Sequence, residues 1–435
     1  MNLVEHARAV LLQSREVVRA FGVEMLVPIW VLAAFLAVLS PVPVAAQELA
    51  KLVATAEPLS PTLASPDEIG RWIEELGNDA YTVRQAAASQ LLAAGMSARE
   101  PLLLIVDGPD PERRAAARRL VALIDQSEFH RRLEAFAADT DGHLGLTLPG
   151  WEQYQKLVGS DPAVRALFVD MQRQEGALIS AVFGASKRAP SELLESRVMR
   201  VVQWQNMGGN RGSMPALGSN AALLFLGSVA EIDVSDVAAL NIEGLLQRPP
   251  IIETLKTDNR QDAVRRLAIA WLLHCPTKSD ELLRNRLTII SILGLQEALP
   301  LPLAVVSGEA PHKHTQPTTR ALAALIVGQF GRAEDADRLE PLLADATVCT
   351  RVQQQLPGQN VSVQVRDVAL VVMVQLTGQR PADYGYINAR VQEPLKTFQP
   401  QTLFRENDQQ RSEAIAKWRQ WRAAQKNATA RPESK

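Results

Sequence analysis

The sequence predicts an all-α fold, a succession of short helices folded back on one another as antiparallel hairpins. Three observations carry this prediction. Helix starts are marked by a capping residue followed by proline, in Ser65-Pro66-Asp67-Glu68, Asp110-Pro111-Glu112 and Asp161-Pro162. Between these starts, apolar residues recur three and four positions apart, the spacing of one helix face. Glycines such as Gly77 and Gly95 close the stretches, where a left-handed residue ends a helix.

Taken in order, the helix opened by Ser65 carries Ile69, Trp72, Ile73 and Leu76 on one face. The next places Val83, Ala87 and Leu91 inward and ends at Gly95. Ser97-Ala98-Arg99-Glu100 reads as another capping box, leading into Leu102, Leu103, Leu104 and Ile105. From Asp110 an Arg-rich helix pair follows, with Ala116, Leu120 and Leu123 at helical spacing. Residues 151–158, 161–184, 190–206, 219–231, 235–247, 260–275 and 279–296 then read as helices. The glycine-bearing stretches Gly142–Gly150 and Met207–Gly218 interrupt the rhythm, so 127–310 is expected to be an irregular central helical lobe. Polar and apolar residues alternate around Pro357-Gly358, which predicts a small inserted β-hairpin near 350–365. The C-terminal helix, 409–425, carries Trp418 and Trp421 to cover the open end of the array, and the residues from about 427 read as a disordered tail.

Several of these segments resemble the HEAT repeat. Val83-Arg84-x-x-Ala87-x-x-x-Leu91-x-x-x-Gly95 looks like its first-helix signature, and Asp110-Pro111-Glu112-Arg113-Arg114-x-Ala116 like the opening of the following unit. Arg320–Gly331, followed by Asp335 and Leu339-Glu-Pro-Leu-Leu343, is similar to a further pair, and Val365-Arg366-Asp367-Val368-Ala369-Leu370 to another first helix. The resemblance covers 67–126 and 318–378. With Leu148-Pro-Gly-Trp151 and Asp383-Tyr-Gly385, the chain resembles the exported HEAT-like proteins of planctomycete-type bacteria. That resemblance implies an α-α superhelix, a HEAT-like solenoid, with repeats at 65–126 and 318–425 flanking the 127–310 lobe.

The N-terminal segment bears on compartment. Ile29–Leu39 is an unbroken apolar run of 11 residues, short of the roughly 20 that a membrane-spanning helix needs. Pro41 and Pro43 follow, then Val44-Ala45-Ala46, small residues suited to signal cleavage. The expectation is a signal peptide over 1–46, or over Met25–Ala46 if translation starts at Met25, then a linker over 47–64. The alternative is an uncleaved anchor at 25–46. Either places the body in the periplasm or cell envelope, with membrane contact only if the segment stays uncleaved.

Composition narrows the functional classes. With 47% hydrophobic and 22% charged residues among 435, the chain is built to bury a core. A net charge of −2 argues against a nucleic-acid partner. Cys275 and Cys349 are the only cysteines, too few for a disulfide framework, and read as two buried thiols or one bridge.

The spacings that catalysis demands are missing from the sequence: no G-x-S-x-G, no H-E-x-x-H, no phosphate-binding loop. His312-x-His314 sits in a polar loop without a third ligand at suitable spacing, and catalytic zinc takes three. Asp139-Thr-Asp141-Gly142 begins like a calcium loop but has no closing carboxylate and reads as a turn. Met207–Ser213 could cradle an anion yet lacks a following Lys and a preceding strand. Dense basic residues, Arg113, Arg114, Arg118, Arg119, Arg131 and Arg132, form the candidate partner-binding patch, or else a solvated face paired with Glu100, Glu112 and Glu134. The expectation is an exported, non-enzymatic helical-repeat scaffold that binds another protein or peptide, without catalytic residues, cofactor or metal. The alternatives are a self-assembling envelope component and an enzyme with its site in the 127–310 lobe.

Overall fold

The computed structural model describes residues 64–429 except 185, 187, 208–215, 258–260, 310–314, 354–359 and 394. The expectations placed on residues 1–63, on the loop after Met207, on His312-x-His314, on Pro357-Gly358 and on the tail from 430 lie outside the described residues. Among the described residues the chain is mostly helical, with two short antiparallel strand pairs. It divides into two compact units at Ala116/Ala117.

The first unit holds α1 (Pro66–Glu75), α2 (Tyr81–Ala94), α3 (Met96–Leu103) and the start of α4 (Pro111–Ala138). The capping box at Ser65 forms: the Glu68 amide donates to Ser65 Oγ at 3.3 Å, and the Ser65 amide to the Glu68 carboxylate at 2.8 Å. α1 packs on α2 and α3, and Ile69 and Ile73 of α1, Leu76 at its C-cap, Ala87 and Leu91 of α2, and Ala98 and Leu102 of α3 are buried. The capping box expected at Ser97 does not form. Gly95, at φ +57°, turns the chain within one residue, so α3 starts at Met96 before Ser97 can serve as cap. The two Arg-rich helices expected after Asp110 are a single helix, α4, because no glycine or proline follows Pro111 within its 28 residues. Both the unit boundary and the expected 126/127 boundary fall inside it.

The second unit continues through α5 (Trp151–Val158), α6 (Pro162–Phe183), α7 (Pro190–Met207) and α8 (Leu217–Gly227). Then come α9 (Asp236–Leu246), α10 (Pro249–Thr257), α11 (Gln261–His274) and α12 (Asp280–Leu293). α13 (Pro300–Val306) and α14 (Pro317–Phe330) lead to a 3-10 segment, Ala333–Ala344. Three differences from the sequence reading have one cause, the double role of proline. α10 and α13 open with Pro249-Pro250 and Pro300-Leu301-Pro302, which resemble breakers but suit a first helical turn. Pro341 lies inside the segment expected to be helical at Leu339–Leu343. It removes an amide donor, and the chain takes 3-10 geometry there.

α8 is the centre of this unit. Every residue from Gly218 to Gly227 is buried. A helix buried on all sides needs walls on all sides, and α6 and α11 supply most of them. The approach to α6 is close: a Cβ on Gly218 would stand 2.3 Å from the Asp170 carbonyl oxygen, so only glycine fits. Beside it, Phe136, Trp151, Tyr154, Phe168 and Phe225 form a continuous aromatic cluster with ring centroids 5.1–6.4 Å apart.

Strands stand where the alternation predicts them. β1 (Val348–Gln353) pairs antiparallel with β2 (Asn360–Gln364) in the register Thr350↔Val363 and Arg351↔Ser362, and Cys349 and Val363 face inward. α15 (Val365–Leu376) follows directly and packs on Ala333–Ala344 and α14. A second pair, β3 (Val391–Gln392) with β4 (Thr397–Phe398), has no counterpart in the sequence reading. The C-terminal helix α16 (Asp408–Thr429) lies on α15. Trp418 is 1% exposed and Trp421 half-buried. Arg411 Nε donates to both Asp367 oxygens at 3.0 Å, and Tyr386 Oη donates to the same carboxylate at 3.0 Å.

Candidate binding groove

The six arginines singled out from sequence all lie on α4 but do not form one free basic surface. In the first unit, Arg113 and Arg114 are half-buried and bond to backbone carbonyls: Arg113 Nη2 donates to the Ile73 carbonyl of α1 at 3.1 Å and Arg114 Nη1 to the Gly108 carbonyl at 2.8 Å. In the second, Arg118 and Arg119 are exposed. Arg131 grips Glu128 with two bonds of 2.7 and 2.8 Å and thereby holds its carboxyl below the usual carboxylate range. Arg132 Nη2 donates to the Thr147 carbonyl at 3.3 Å. At about 100° per residue, Arg118 and Arg132 point within about 40° of each other, while Arg119 and Arg131 lie on other sides of the helix.

Other sequence candidates have structural employment. The Asp139 carboxylate is buried, accepts the Leu144 amide at 3.2 Å and faces Arg165 at 3.4 Å, so it braces a turn. The Arg165 guanidinium lies 3.8 Å above the Phe136 ring centroid. Cys275 and Cys349 are buried, unpaired thiols, of which burial pushes Cys349 up to about 12. Among the described residues, no group of three or more His, Cys, Asp or Glu side chains is placed to hold a metal ion.

What the structure does build is an open groove of about 480 Å³ along the outer face of α11. Asp262, Arg266, Ile269, Ala270 and His274 fall at helical spacing along its floor, with Arg265 at one side. Leu157, from α5, forms one wall, and Glu297, from the 3-10 turn Gln296–Ala298, the other. Sequence places each here: Asp161 caps α6 beside α5, and Gly294, left-handed, ends α12 so that Glu297 comes back alongside α11.

Arg265, Arg266 and Glu297, three of the groove's charged groups, are paired within the protein. Arg265 holds Glu297 through Nε at 2.8 Å and Nη2 at 2.7 Å, and Nη2 also donates to the Gly294 carbonyl at 2.7 Å. On the opposite side Arg266 donates to the Asp161 carboxylate, and its Nη1 to the Val158 carbonyl at 2.7 Å. The Arg265 guanidinium keeps the Glu297 carboxyl below its ordinary range. For Asp161, burial works the other way, but Arg266 and the Val164 and Ala163 amides outweigh it and hold the carboxyl low. Neither carboxylate is therefore poised to exchange a proton near neutrality. His274 Nδ1 donates to the Ala270 carbonyl at 2.9 Å. The rest of the lining, Leu157, Ile269 and Ala270, is apolar.

None of the groove's residues stands out as a motif. The available signal is the adjacent pair Arg265-Arg266 on a helix whose other side is apolar, since two neighbouring arginines diverge by about 100° and so brace two different walls. The chain matches no family model, no curated protein and no solved structure.

Proposed function

We propose that this chain is an exported HEAT-like helical-repeat protein that binds another protein or peptide, with the α11 groove as its binding surface. The observation that carries the reading is the internal pairing of the groove's charges. Arg265 and Arg266 are spent on Glu297 and Asp161, which leaves an apolar lining of Leu157, Ile269 and Ala270 rather than an acid and a base aimed at one point. An open trough suits a length of chain laid along it; a small metabolite would need more enclosure. In support of a repeat architecture, helices pack on the helix after next as well as on chain neighbours: α6 on α8, α7 on α9, α12 on α14.

A photocrosslinking side chain at position 157 of the full-length protein, expressed in its own cells, tests the reading. The expected result is a discrete adduct with a second protein that disappears when Ile269→Glu is added and is not formed from position 281 on α12. An equal adduct from position 281, or one indifferent to Ile269→Glu, overturns it. N-terminal sequencing of the mature protein tests export, with Gln47 as the expected first residue.

A further inference from the structure

Resting on the groove reading above, we infer that the preferred occupant is an extended, apolar peptide segment of about five residues bearing one cationic group at its Asp262 end. The length follows from the helix. From Asp262 to His274 is 12 residue steps, about 18 Å at a rise of about 1.5 Å per residue. Extended chain at about 3.3 Å per residue covers that with about five residues.

The chemistry follows from what each group in the groove still has to give. The two Arg–carboxylate pairs are mutually neutralised, so a charged ligand side chain in mid-groove gains nothing there and loses its hydration against Leu157, Ile269 and Ala270. Asp262 differs. It lines the groove, is exposed, and its side chain is in neither clamp: Arg266 Nε reaches only its backbone carbonyl, at 3.3 Å. Among the described residues that line the groove it is therefore the one charge outside a clamp, a carboxylate, at the N-terminal end of α11. The far end has His274, whose Nδ1 is taken up by the Ala270 carbonyl and whose ring offers no negative charge to match. Charge complementarity thus gives the groove a direction, apolar through the middle and negative at the start of α11.

The test uses the full chain and fluorescein-labelled pentapeptides with blocked ends, alternating Leu and Ala, with the terminal residue varied among Lys, Gln and Glu. Fluorescence polarisation should rank Lys above Gln above Glu, with about threefold between steps, the size of an exposed charge pair. A second Lys at the other end should add nothing, since only one end carries Asp262. Asp262→Asn should erase the ranking while leaving the Gln peptide's affinity unchanged. Ile269→Glu should weaken all three by about tenfold or more, because it puts a charge where apolar side chains lie. Binding with no dependence on the terminal residue, or a ranking that survives Asp262→Asn, overturns the cationic-end inference and leaves the groove standing. Failure of every peptide to bind, or binding indifferent to Ile269→Glu, removes the groove reading itself and this inference with it.

Discussion

Arg286 of α12 reaches Glu243 of α9, Nε to Oε1 at 2.7 Å, with both side chains wholly out of water. Asn285 donates to the other Glu243 oxygen at 2.5 Å, and Arg286 Nη1 also donates to the Cys275 carbonyl and, at 2.8 Å, to Thr277 Oγ1. Burial pushes the Glu243 carboxyl up, against the pull of Arg286 and Asn285. α9 and α12 are thereby tied to each other by a pair that tolerates no half-measures. Removing Arg286 alone, as Arg286→Ala, should destabilise the protein by about 3–5 kcal/mol, since it strands a buried carboxylate. Replacing both partners together, Glu243→Leu with Arg286→Met, should recover more than half of that loss. Urea unfolding of the two variants and the wild type measures both.

Gly218→Ala should cost about 1–3 kcal/mol or more, because the added carbon meets the Asp170 carbonyl and α8 cannot retreat from a wall on the opposite side. Gly244→Ala, where nothing lies within 4 Å of the added carbon, is the control. It should be neutral or stabilising, by helix propensity. Thermal unfolding distinguishes the two.

The groove's clamps predict an acid-side loss of stability. Glu297 and Asp161 ionise more readily in the folded chain than at their ordinary values of 4.5 and 3.8. Their contribution is complete above those values and is lost as pH falls through the lower, folded ones. Both are substantially exposed, so each clamp is worth only about 0.5 kcal/mol after screening. Melting temperature followed from pH 6 downward should therefore fall less steeply in Glu297→Gln than in the wild type. A steeper fall would contradict the clamp.

Trp418 and Trp421 should separate sharply. Trp418→Ala opens a cavity beneath α16 and should cost about 3–5 kcal/mol, whereas half-buried Trp421→Ala should cost under about 1 kcal/mol. Hydrogen exchange along α16 should rise in the first variant and stay unchanged in the second.

Neither cysteine should react with a thiol reagent in the native protein. Cys349 donates to the Val363 carbonyl at 3.3 Å, and its raised titration leaves almost no thiolate at neutral pH. Both should react on unfolding in urea, and quick modification of the native chain would mean that the β1–β2 region opens locally.

Much of the fold was legible because its signals are local. Asp161-Pro162 caps α6 as its side chain predicts, with the Val164 amide donating to Asp161 Oδ1 at 3.1 Å, and α5 spans the residues its apolar spacing marks. The misreadings share the same locality. Ser97 satisfies a capping pattern, but the left-handed Gly95 decides the turn two residues earlier. Pro249 and Pro300 carry a breaker's composition in a starter's position. The groove lay beyond reach for a different reason. Leu157, Asp262 and Glu297 are scattered over 141 positions, and only the folding of α5 and the Gln296–Ala298 turn onto α11 brings them together. The arginine run, conspicuous as text, is largely consumed by nearby carbonyls and Glu128.

The burial of α8 on every side has a consequence for how the molecule comes together. Eleven residues are too few to hold a helix in water unaided, and this segment has no polar face on which to wait. Its coil-to-helix transition must therefore coincide with the arrival of α6 and α11 rather than precede it. The middle of the chain is then the last part to let go when the protein opens, and its amide protons, from about Asn220 to Gly227, should be the slowest to exchange with solvent.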